Sequence, residues 1–207
     1  MSNFTLRLLS IIFLAPIIIG SIYLNGNYFN LILVIIFLLS FYEISKLSIF
    51  KYKFALYILL FIFIYSVYDL RNLHSRGDYL FLIIVITWLS DLGGYVFGKL
   101  FKGKKINIIS PNKTYIGFIG SIIFSLLTFF AIPYLNIEIQ DSIFLKFLFI
   151  MLSSIFVIFG DLFFSYIKRV NNIKDYSKII PGHGGILDRI DGLIFVTIVH
   201  QIYFNIL

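Results

Sequence analysis

Apolar residues in this chain come in long runs, and polar residues gather between them. A helix that crosses a bilayer needs about 20 mostly apolar residues. Seven segments fit: Leu8 to Leu24, Phe29 to Leu47, Phe54 to Tyr68, Tyr79 to Leu100, Ile116 to Leu135, Ile143 to Ile167 and Leu187 to Leu207. The third is the shortest, within the range that thin or tilted edges tolerate. Arg7 precedes the first run, as in a signal peptide, but no small-x-small cleavage site follows and another apolar run comes at once. The first run therefore reads as a transmembrane helix.

Composition agrees with this pattern. Of 207 residues 60% are hydrophobic, and mean hydropathy is +0.98, more apolar surface than a soluble domain of this length can hide. The expected fold is an all-α polytopic membrane protein. It forms a single integral membrane domain, 1–207, with N-terminal helices in 1–87 and a motif-bearing half in 88–207. Cysteine is absent, which excludes disulfides, thiol chemistry and cysteine metal sites.

Charge fixes the expected orientation. Of the 17 basic residues, 14 lie at one set of segment ends: Arg7; Lys46, Lys51 and Lys53; Lys99, Lys102, Lys104, Lys105 and Lys113; Lys168, Arg169, Lys174, Lys178 and Arg189. Only Arg71, Arg76 and Lys146 lie at the other. The positive-inside rule then predicts a cytoplasmic N-terminus and an outside C-terminus, as an odd span count requires. The loops Lys99 to Tyr115 and Lys168 to Ile186 share the cytoplasmic face. The net charge of +7 is spread through short loops without a nucleic-acid-binding motif, so no nucleic-acid partner is expected.

Ionisable groups inside apolar segments are expensive and mark function. Asp161, Ser165 and Lys168 are spaced four and three apart, on one helical stripe of an otherwise Phe, Ile, Leu and Val segment. The alternative is an Asp–Lys pair that only holds helices together. Asp188 and Asp191, at i and i+3 around Arg189, share a face at the start of the last segment; either also suits the positive end of a helix dipole as a cap. With Asp161 they make three carboxylates of the kind that suit a hard cation such as Mg²⁺.

Between these groups lies Pro181-Gly182-His183-Gly184-Gly185. Its glycines let backbone N–H groups approach an anion, and the following helix N-terminus adds a favourable dipole. A flexible turn is the alternative, with His183 a loop residue. Upstream, Asp91 lies about a dozen residues into an apolar run. Gly94 and Gly98 form a small-xxx-small packing face. The next loop ends in Ser110-Pro111-Asn112-Lys113-Thr114, where Lys113 suits a phosphate contact or serves as one more positive-inside lysine.

Together these residues resemble the phosphatidate cytidylyltransferases, or CDP-diacylglycerol synthases. The family signature appears as Ser165, Lys168-Arg169, Lys174-Asp175, Pro181, His183-Gly184-Gly185 and Asp188-Arg189-x-Asp191. About a dozen fixed positions make it far more specific than a lone short motif. Asp91 with Gly94-Tyr95, and Ser110-Pro111-x-Lys113-Thr114, look like the family's upstream pieces. The similarity covers roughly Trp88 to Phe195. Two positions depart: Ile116 stands where the family keeps a Glu, and Asn112 where Lys is common. The chain is also shorter than most members.

The resemblance implies transfer of a cytidylyl group from CTP to phosphatidic acid, giving CDP-diacylglycerol and pyrophosphate in phospholipid biosynthesis. It implies Mg²⁺ on Asp161, Asp188 and Asp191, and allows a second cation such as K⁺. Lys168 and Arg189 join the three aspartates as the catalytic set. Asp91, Ser110, Lys113, Thr114, Ser165, Arg169, Lys174, His183, Gly184 and Gly185 would bind substrate or nucleotide. The implied location is a bacterial inner membrane, with the site facing the cytoplasm, and the resemblance allows a homodimer. Two other readings carry over: a CTP-dependent polyprenol or phytol kinase or CDP-archaeol-type synthase, and a small ion-coupled transporter.

Overall fold

The computed structural model describes residues 3–24, 26–73, 77–101, 103–107, 110–135, 137, 142–180, 182 and 184–206; side chains at 3–11, 107, 110–112 and 205–206 lie outside that description. Seven α-helices span the described residues: α1 Asn3–Tyr23, α2 Gly26–Ser45, α3 Phe50–Leu73, α4 Asp78–Phe101, α5 Tyr115–Ser125, α6 Ile143–Val170 and α7 Leu187–Ile206. Among the described residues, five helical segments are long and apolar enough to cross a membrane: α2, α3, α4, α6 and the helical stretch Tyr115–Tyr134 that begins with α5. The protein is a polytopic all-α membrane protein. Phe13, Phe54, Phe61, Phe130 and Phe144 stand exposed on the outside, as a lipid solvent allows and water does not.

The expected segments map onto these helices with three differences. The third segment is longer than its apolar run: α3 begins at Phe50 and takes in Lys51 and Lys53. Asn171 supplies the missing cap, its Oδ1 accepting from the backbone N–H of Ser48 and of Ile49, both at 3.1 Å. The fifth segment loosens after Ser125 into 3₁₀ turns at Leu126–Phe130 and Ile132–Tyr134. There Thr128 Oγ1 donates back to the Ser125 carbonyl at 2.6 Å, and Pro133 lacks an N–H. The basic loop before α5 contains an antiparallel hairpin, β1 Lys105–Asn107 against β2 Ser110–Thr114, with Lys105 opposite Thr114.

Two close helix crossings set the site. At the α4–α5 crossing a Cβ on Gly94 would come 2.7 Å from Ser121 Oγ, so the expected small-residue face is where these helices meet. At the α6–α7 crossing a Cβ on Gly160 would sit 2.5 Å from the Asp191 carbonyl and 3.0 Å from Gly192 Cα. That contact brings Asp161, the next residue on α6, beside Asp191. A shared core of Ile44, Leu56, Leu60, Phe63, Phe164, Ile167, Leu187 and Ile194 ties α2 and α3 to α6 and α7.

Candidate active site

A cleft of about 400 Å³ opens among α4, α5, α6, α7 and the hairpin. It is lined by Asp91, Lys113, Thr114, Asp161, Ser165, Lys168, Asp175, Asp188, Arg189 and Asp191, with Gly94, Tyr95 and Ser121 among its other walls. Nine of the candidate catalytic and binding residues therefore meet in one place, although they span a hundred positions of the chain.

Each is placed by an identifiable local cause. The hairpin ends where Thr114 caps α5, its Oγ1 accepting from the Gly117 N–H at 3.0 Å. That cap turns Lys113 toward α6, where its ammonium donates to Asp161 Oδ2 at 2.8 Å. The helical stripe on α6 is as expected: Asp161, Ser165 and Lys168 all face the cleft. Lys168 donates to Asp188 Oδ1 at 2.7 Å, with both side chains largely buried. The Lys168 ammonium also lies 5.6 Å from the ring centre of Tyr176. Burial, then the carboxylates of Asp188, Asp191 and Glu43, push the Tyr176 phenol up and keep it neutral.

The glycine turn differs from the expectation that its amides stand ready for an anion. Asp188 Oδ2 accepts from Gly185 N–H at 3.0 Å and from Tyr176 N–H at 2.9 Å. Ile186 and Leu187 donate their N–H groups, each at 2.8 Å, to the carboxylate of Glu43. The anions at the start of α7 are thus the protein's own. Asp188 does not cap α7: it reaches back to the turn before the helix and to Tyr176, while it still lines the cleft. Gly184 has φ +89°, a left-handed conformation that side chains rarely adopt.

Other expected residues lie elsewhere. Arg169 and Lys174 are exposed and are not in the cleft wall. His183 lies outside the described residues, as does the side chain of Ser110. Ile116 packs against the base of the hairpin, 2.7 Å from where a Cβ on Gly103 would be, and does not line the cleft. Glu43 was missed altogether. It is 1% exposed, and it is an acid in an otherwise apolar segment. That signal was present, and it marks function by the same rule that picked out Asp91.

The donor set for a metal is all oxygen. Among the described residues, no three acidic or imidazole groups lie close enough together to hold a metal ion. Asp161 Oδ1 lies 3.1 Å from the Cβ position of Gly192, beside Asp191, and both carboxylates border the cleft. Mg²⁺ keeps several waters and leans on one or two carboxylates plus substrate phosphates, so this pair fits it. Asp188 offers only Oδ1, which Lys168 now holds.

The fold and cleft define a membrane-embedded protein in which cations and carboxylates converge beside an apolar helix bundle. Residues 51–207 match the model of the Cytidylyltransferase family, and the chain belongs to that family. It is 42% identical over 126 residues to a phosphatidate cytidylyltransferase of Staphylococcus haemolyticus strain JCSC1435, covering 59% of this chain and 48% of that protein. It is 41% identical over 130 residues to one of Staphylococcus epidermidis strain RP62A, covering 62% and 49%. It is 41% identical over 124 residues to one of Staphylococcus aureus strain COL, covering 59% and 47%. The aligned region spans about half the length of these curated relatives.

Proposed function

We propose that this protein transfers the cytidylyl group of CTP to phosphatidic acid, giving CDP-diacylglycerol and pyrophosphate. A phosphate oxygen of the lipid forms the new bond to the α-phosphorus of CTP, and the bond to the bridging oxygen of pyrophosphate breaks. The nucleophile is already an anion, so no covalent enzyme intermediate is needed. The protein must align two polyanions and offset their charge. The observation that carries this reading is the two lysine–aspartate pairs facing one cleft. Both lysines are within reach of a phosphate that replaces the aspartate as partner.

In this reading Lys113, Lys168 and Arg189 receive phosphate oxygens. Ser165, on the same stripe as Lys168, lies beside them. Asp161 and Asp191 would hold Mg²⁺, which supplies charge neutralisation of the transferring group. Asp91 borders the same volume from α4. The positive-inside distribution of basic residues supports a site facing the cytoplasm, where CTP is dissolved, in a bacterial inner membrane. The names of the matched relatives favour phosphatidic acid over a polyprenol or phytol acceptor. The test is turnover by the purified chain: CDP-diacylglycerol with equimolar pyrophosphate supports the reading, whereas CDP with a phosphorylated alcohol indicates a kinase.

A further inference from the structure

We propose that Glu43 is a positioning residue for this reaction, acting from α2 through the start of α7. Its side chain is 1% exposed and makes three hydrogen bonds. Oε1 accepts from Ser177 Oγ at 2.6 Å and from Ile186 N–H at 2.8 Å; Oε2 accepts from Leu187 N–H at 2.8 Å. These two amides are among the first of α7, which would otherwise lack partners in a buried setting. A carboxylate at that end also meets the positive end of the helix dipole.

The consequence is geometric. Asp188, Arg189 and Asp191 lie one to four residues beyond Leu187, all within the first turns of α7. Whatever fixes the first turn fixes the direction in which these groups enter the cleft. Gly185 shows how close the clamp is: a Cβ there would come 2.6 Å from Glu43 Oε1. That contact gives the glycine a reason independent of any ligand.

A reciprocal contact closes the other side. Asn171, where α6 ends, caps the start of α3 through Ser48 and Ile49, and its Nδ2 donates to the Ile167 carbonyl at 2.9 Å. The α2–α3 connection and the α6–α7 loop therefore hold each other at both ends. Helices that carry no group of the cleft itself thus set the register of those that do.

The rate arm of the test rests on the cytidylyl-transfer reading; the exchange arm does not. Glu43→Gln keeps the size but sets an NH₂ against one of the α7 amides. In the purified full chain it is expected to lower kcat about 10- to 100-fold, as loss of a supporting contact does, with KM for CTP little changed. Amide exchange at Ile186 and Leu187 rises while exchange in α3 and α4 stays as in the wild type. Ser177→Ala removes one of the three bonds, folds more readily, and gives the same two changes in smaller measure. Wild-type kcat with unchanged exchange at Ile186 and Leu187 overturns the proposal. So does a loss of activity that only tracks the folded fraction. If the wild type turns over no CTP while Glu43→Gln still exposes these amides, the transfer reading falls and the clamp stands.

Discussion

The ammonium of Lys113 on the hairpin lies 2.8 Å from Asp161 Oδ2 on α6, joining two elements 48 residues apart. Side-chain exposures of 29% and 21% make this a partly solvated pair, contributing at most about 1 kcal/mol to stability. In the proposed reaction its role is then catalytic. Lys113→Met is expected to lower kcat/KM for CTP about 100-fold, the scale of losing one donor to a developing charge. The melting temperature should shift by only a few degrees. Steady-state kinetics beside thermal unfolding in detergent checks the split.

Lys168 and Asp188 form the opposite case. Their side-chain exposures are 13% and 4%, so removing one partner strands a buried charge. Lys168→Met should destabilise the protein by about 3–5 kcal/mol. Adding Asp188→Asn should recover part of that loss, because the charge is gone and an oxygen still accepts from Gly185 and Tyr176. Activity stays low in both single variants and in the double. A double-mutant cycle on unfolding free energy, run with activity in parallel, measures this.

The α6–α7 crossing predicts a loss without any change of a charged group. A Cβ on Gly160 would press on the Asp191 carbonyl at 2.5 Å. Gly160→Ala is therefore expected to cost about 1–3 kcal/mol by overpacking and to move Asp161 away from Asp191. If those two aspartates hold the cation together, the concentration of Mg²⁺ needed for half-maximal activity rises. A Mg²⁺ titration of the variant against the wild type tests it.

Much of this arrangement is legible in the sequence, for reasons that differ by element. Long apolar runs announce helices because a bilayer demands length and backbone satisfaction, so all seven segments appear as helices, five of them, among the described residues, long and apolar enough to cross a membrane. The Asp161–Ser165–Lys168 stripe is legible because helical spacing is fixed. The hairpin is not: only Lys105-Ile106-Asn107-Ile108 alternates, too short a run to announce a strand, and its role comes from Lys113 meeting Asp161 on α6. The amide partners at the glycine turn are not legible either. Gly-rich turns before helices bind anions generally, and nothing local says that Glu43, more than 140 residues away, is one of the anions. Glu43 itself was readable as a lone acid at the end of an apolar run, but not its partners.

Mg²⁺ and CTP should bind together if the cation bridges Asp161 and substrate phosphates. Thermal unfolding with both present is expected to show a larger rise than the two alone combined, about 2.7 kcal/mol at a hundredfold excess over Kd. Asp161→Asn should remove the extra rise while leaving the unliganded melting temperature near that of the wild type, since its partner Lys113 is partly solvated.

The most direct measurement is product analysis of the purified chain given CTP and labelled phosphatidic acid, with Mg²⁺ and with Mg²⁺ chelated. Labelled CDP-diacylglycerol and pyrophosphate should appear in equal amounts with Mg²⁺ only, and Asp161→Asn should abolish both. No product from the wild type, or product that persists unchanged in Asp161→Asn, would contradict the account.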